Sequence, residues 1–66
     1  MKAKYPDVAV KLVGEDGNVF SVIGRVARGL RRGGHADAAV AFEEAAFNAD
    51  SYDEVLRLAM SYVEVR

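Results

Sequence analysis

Val19-Phe20-Ser21-Val22-Ile23-Gly24-Arg25-Val26-Ala27-Arg28-Gly29-Leu30-Arg31-Arg32, followed by Gly33-Gly34, is the stretch that decides the fold. At 100° per residue, Val22, Val26, Val19, Leu30, Ile23, Ala27 and Phe20 fall within one arc of about 160°. Arg25, Arg28, Arg31 and Arg32 occupy a separate arc of about 120° on the other side. This pattern predicts an amphipathic helix over 19–32 with its apolar side buried. Gly33-Gly34 supplies the left-handed stop. On the other flank, Gly14-Glu15-Asp16-Gly17-Asn18 reads as a turn in which Asn18 or Asp16 caps the helix.

Before that turn, Val8-Ala9-Val10-Lys11-Leu12-Val13 reads as a strand, rich in β-branched residues and bounded by Pro6 and Gly14. Val8, Val10 and Leu12 share one face by period-two alternation, with Ala9, Lys11 and Val13 on the other. A second helix is expected over Ala36–Asn48, with Asp37 placed to favour its dipole. Ala38, Ala39, Phe42, Ala45 and Ala46 give that helix a close-packing face. Val40 and Phe47 form a second apolar stripe roughly opposite Phe42, so the helix is either sandwiched or partly exposed for a partner. Ser51-Tyr52-Asp53-Glu54 has the capping-box pattern, which starts a third helix at Tyr52. That helix is expected to reach about Met60 and to bury Tyr52, Val55, Leu56, Ala59 and Met60. Tyr62-Val63-Glu64-Val65-Arg66 alternates as a closing strand and is expected to pair with residues 8–13. The fold class is therefore α+β. It is a single small domain, 1–66, of order β-α-α-α-β, with three helices packed on a two-stranded sheet formed by the N- and C-terminal strands.

A chain of 66 residues has room for one marginal core and no more. With no cysteine and one histidine it has no disulfide, and a structural zinc site is not expected. Lack of cysteine fits a reducing cytoplasm. No stretch approaches the apolar length a membrane helix needs, and no signal peptide is expected. We therefore expect a cytoplasmic protein that makes no use of a membrane.

The net charge of −1 hides an asymmetry. Residues 1–35 carry Lys2, Lys4, Lys11, Arg25, Arg28, Arg31 and Arg32 against Asp7, Glu15 and Asp16, a balance of +4. Residues 36–66 carry Arg57 and Arg66 against Asp37, Glu43, Glu44, Asp50, Asp53, Glu54 and Glu64, a balance of −5. The halves either complement each other within the fold or present two electrically distinct faces.

The segment from Lys4-Tyr5-Pro6-Asp7-Val8 through Gly14-Glu15-Asp16-Gly17-Asn18, then Phe20 and Gly24-Arg25-Val26, resembles a family of small proteins of bacteria. Members are encoded particularly by actinobacteria and by their phages and mobile elements. The ending Met60-Ser61-Tyr62-Val63-Glu64-Val65 is similar to the aromatic-valine strand that closes those proteins. The resemblance covers most of the chain. It implies a fold outline and a genomic neighbourhood but no activity and no catalytic residue.

Catalytic constellations are missing from the residues. His35 sits at a helix boundary, and an acid–base triad would require a nucleophile and an orienting carboxylate. Ser51 has a capping role, and Ser21 and Ser61 lie in no nucleophile motif. His35 therefore reads as a solvated loop histidine. Glu43 and Glu44 splay about 100° apart on their helix and form no dyad. Asp50, Asp53 and Glu54 are accounted for by capping and the helix dipole, and calcium-loop spacing is absent. Gly14-x-x-Gly17 lacks the glycine spacing and the lysine of a phosphate loop, and its carboxylates would repel phosphate. Gly24 and Gly29 weaken the helix, either to admit another backbone or for no structural reason. No enzyme activity, cofactor or metal is expected.

The arginine arc remains. Four guanidinium groups within eight residues suit planar, bidentate partners, either phosphates or an acidic protein surface. The plainer reading is a solvated face whose arginines pair with Glu43, Glu44, Asp53 or Glu54. A pI of 5.7 and the lack of interleaved aromatics weigh against nucleic acid. The expected function is a non-enzymatic interaction or accessory module of a bacterium or its mobile elements. It binds a protein partner through Arg25, Arg28, Arg31 and Arg32, with Val40 and Phe47 as an apolar contact. The alternatives are a nucleic-acid binder using the 25–32 face, a phage inhibitor mimicking nucleic acid through the acidic half, and a homodimer.

Overall fold

The computed structural model describes residues 3–12 and 18–66. Its elements are β1 (Tyr5–Val10), α1 (Val19–Arg32), α2 (Ala36–Phe47), α3 (Tyr52–Tyr62) and β2 (Val63–Val65). The expected β-α-α-α-β order is present, and the two terminal strands form a two-stranded sheet. The strands run parallel, with Ala9 opposite Glu64 and Val10 opposite Val65.

Both strands differ from expectation at their ends. β1 begins at Tyr5 and so includes Pro6, which the sequence places before the strand. Register is irregular between Tyr5 and Ala9. Irregular pairing is where a proline, lacking a backbone N–H, is tolerated in a strand. Leu12 remains tied to the sheet, its N–H donating to the Arg66 carbonyl at 2.8 Å. Val13 and the turn through Gly17 lie outside the described residues. At the other end α3 continues to Tyr62, two residues past Met60, and passes directly into β2.

α1 has the expected bounds because both its ends are capped. The Asn18 side chain accepts from the Phe20 N–H at 2.8 Å. At the C-terminus the Gly34 N–H donates to Arg31 and the His35 N–H to Leu30, with Gly34 at φ +85°. These two bonds around a left-handed residue form a Schellman motif. The Ser51 hydroxyl accepts from the Glu54 N–H at 3.1 Å. The Glu54 carboxylate accepts from the N–H of Asp50 rather than of Ser51, at 2.7 Å. The box is thus shifted one residue outward on its return side.

Phe42, Leu30, Val26 and Val63 are the largest fully buried side chains, and one cluster gathers residues from all five elements. Phe42 meets the Tyr62 ring edge-on at 5.4 Å. Val8 and Val10 turn toward α1, and Ala9 and Lys11 are exposed on the other face. The helices therefore cover one face of the sheet.

Four side chains expected inside are exposed: Phe20, Ala45, Tyr52 and Met60. Phe20 lies at the extreme of the α1 arc, and Tyr52 and Met60 lie near the two ends of α3. At those positions no element among the described residues covers them fully. Gly29 has a clear packing role. A Cβ there would come within 2.9 Å of the Val10 side chain and 3.3 Å of Val8, so the glycine admits β1 to the helix surface. Gly33, one turn on, would meet Val8 at 2.9 Å. Gly24 faces open space.

Candidate functional site

The four arginines of α1 divide into three and one. Successive helical residues are rotated by 100°, which places Arg25, Arg28 and Arg32 within about 60° of one another and Arg31 about 60° further round. Arg25, Arg28 and Arg32 line a recess of about 210 Å³ between α1 and β1, completed by Ala9, Val10, Lys11 and Gly29. The missing side chain at Gly29 brings the strand close enough for its edge to form one wall. Arg28 and Arg32 are exposed, and Arg25 is half-buried.

Arg31 points the other way. Its guanidinium donates to the Glu43 carboxylate on α2 at 2.8 Å. Arg31 thus follows the plainer reading, in which the arginines pair with the acidic half. Among the described residues, Arg28 and Arg32 meet no carboxylate within ion-pair distance. The acidic half is partly engaged in its own structure: Asp53 pairs with Arg57 at 3.0 Å, and Glu54 serves the α3 start.

Val40 and Phe47 are both exposed, at 50% and 60%. They do not share a recess. Phe47 faces Phe20 of α1, ring centroids 6.2 Å apart, across a groove of about 530 Å³ lined also by Ile23, Ala46, Tyr52 and Val55. Val40 is not among the residues that line it. Sequence reasoning missed Phe20 and Tyr52 as surface residues. The available signal was the position of Phe20 at the margin of its arc. Phe20 also adjoins the arginine side, because a shallow depression links it with Gly24, Arg25 and Arg28.

His35 is not a solvated loop residue. Its Nε2 lies 3.0 Å from the Asp7 carboxylate, and its ring sits 4.4 Å from that of Tyr5. The hydrogen bond from His35 holds the Asp7 carboxyl below the usual carboxylate range, reinforced by the Asp7 backbone N–H. His35 accordingly ties the α1–α2 corner to β1, and its C=O accepts from Ala39 N–H at the start of α2. Of the serines, Ser51 caps α3 and Ser61 donates to the Leu58 carbonyl. Among the described residues, no helix is long and apolar enough to cross a membrane.

Comparison with family models, with curated proteins and with solved structures finds no match to this chain.

Proposed function

We propose that the domain is a non-enzymatic interaction module that binds a protein partner through the arginine face of α1. The observation that supports this reading is the recess beside β1, where Arg28 and Arg32 stand exposed without a carboxylate of the described chain. Two like charges at i and i+4 repel mildly, by about 0.2–0.5 kcal/mol, and among the described residues no carboxylate offsets that repulsion. Arginine forks match carboxylates in bidentate geometry, so an acidic protein surface suits them. No aromatic side chain lines the recess, which disfavours stacked bases as its ligand. Arg31, held by Glu43, belongs to the scaffold of that face rather than to its contacts. We place the protein in the cytoplasm, as an accessory factor of a bacterium or its mobile elements, on its cysteine-free composition and on the resemblance carried by residues 4–26 and 60–65.

The test compares the immobilised domain with its Arg28→Glu/Arg32→Glu variant on host extract and on random duplex DNA. A defined protein retained by the parent and lost from the variant, with DNA unbound at 0.15 M salt, is the expected result. Tight binding to DNA, with log affinity falling about 0.9 per phosphate contact against log salt, would replace protein with nucleic acid as the ligand.

A further inference from the structure

The arginine recess adjoins an unpaired strand edge. Val10 C=O accepts from Arg66 N–H at 2.9 Å, and Leu12 N–H donates to Arg66 C=O at 2.8 Å. These even-numbered positions turn their backbone groups toward β2. Along a strand the backbone groups alternate in direction, so the N–H and C=O of Ala9 and Lys11 face the opposite, open edge. Among the described residues the sheet has two strands, and no other strand pairs with β1. Ala9, Lys11, Arg28 and Arg32 are all exposed. An open edge of this kind is a template for one more strand.

The charges beside that edge select the strand. Arg28 and Arg32 are four residues apart on α1, about 6 Å along the helix axis. Alternate side chains of an extended segment on one face are about 6.7 Å apart. A strand laid against β1 would therefore present every second side chain to successive arginines. Lys11 also lines the recess.

We propose that the partner contributes an extended acidic segment, with carboxylates at alternate positions, which adds to the free edge of β1. Its backbone pairs with Ala9 and Lys11, and its carboxylates meet Arg28 and Arg32. Main-chain pairing supplies affinity, and the alternate side chains supply specificity. This inference rests on the reading that the arginine face binds protein, and it names the conformation and chemistry of what is bound.

The probe is a capped eight-residue peptide of alternating glutamate and valine. Its control has the same composition with the four glutamates consecutive. Amide chemical shifts and hydrogen exchange of the whole domain are followed during titration. The expected result is at least tenfold tighter binding of the alternating peptide, with shifted and protected amides at Ala9 and Lys11. Arg28→Glu/Arg32→Glu should abolish it. Ala9→Pro should weaken it at least fivefold, because Ala9 N–H is not used by β2. Should Ala9→Pro unfold the domain, protection of the Lys11 amide in the parent decides the matter.

Equal affinity for both peptides, unchanged amides at Ala9 and Lys11, or no binding at millimolar peptide would each overturn strand addition. Pairing of β1 edges in a concentration-dependent dimer that excludes the peptide would make the occupant a second copy and overturn it too. The broader reading fails separately: it falls if the double variant retains every protein that the parent binds, or if the parent binds DNA in place of protein.

Discussion

Gly24 and Gly29 lie on the same helix, yet their substitution should act in opposite directions. Gly24 has nothing within 4 Å of an added Cβ. Gly24→Ala therefore gains helix propensity without a clash and should stabilise the domain by about 0.5–1 kcal/mol. Gly29→Ala pushes a methyl within 2.9 Å of the Val10 side chain, and a β-branched neighbour has little rotamer freedom to yield. The overpacking, about 1–3 kcal/mol, should exceed the propensity gain. Urea unfolding of the two variants measures both signs.

A second prediction at the residue scale concerns Asp7. Its carboxyl titrates below the ordinary value in the folded state because His35 binds it. A lowered folded-state value contributes stability above the unfolded-state pKa of about 3.9 and loses it as pH falls through the folded value. The parent should accordingly lose stability between pH 5 and pH 2 more steeply than Asp7→Asn, which has no such proton to take up. Unfolding midpoints across that range check the difference. The pair spans 28 positions, which is why His35 alone, without its tertiary neighbour, reads as a loop residue.

At the scale of the elements, local signals were sufficient where caps and periodicity acted together. Asn18, Gly34 and Ser51 mark helix ends because each satisfies backbone groups that the helix leaves unpaired. Ser51→Ala should cost about 1 kcal/mol through loss of the bond to Glu54 N–H. Gly34→Ala should cost a comparable amount, since it would force an alanine to φ near +85°. Thermal melts of each variant measure these costs. The strands were less legible. Pro6 signals a boundary, but a local irregularity in pairing lets β1 begin at Tyr5. The direction of pairing was not legible at all, because alternation along Val63-Glu64-Val65 is the same for parallel and antiparallel partners. The exposed Phe20, Tyr52 and Met60 were misread because apolar periodicity shows which face a side chain occupies, not whether a neighbour extends over it.

For the whole molecule, the organising fact is how α1 is shared between inside and outside. Val22, Ile23, Val26, Ala27 and Leu30 are buried, and Phe42 from α2 and Val63 from β2 complete the same core. Phe42→Ala should cost about 3–5 kcal/mol, enough to unfold most of a domain this small. Loss of the cooperative melting transition would show it. The other side of α1 was legible as an arginine face, but its division was not. Whether Arg31 or Arg28 finds a carboxylate depends on where α2 places Glu43, twelve residues from Arg31. The recess depends likewise on Gly29 admitting β1, a contact that no local pattern in 19–32 reveals.

The most direct measurement is equilibrium urea unfolding of Arg28→Glu/Arg32→Glu beside the parent, read together with partner retention. If these arginines stand ready for contact and bear no load in the fold, the variant is at least as stable as the parent, within about 0.5 kcal/mol, while the partner is lost. A loss of more than about 1 kcal/mol, with the partner still bound, would contradict the account: the recess would then belong to the scaffold.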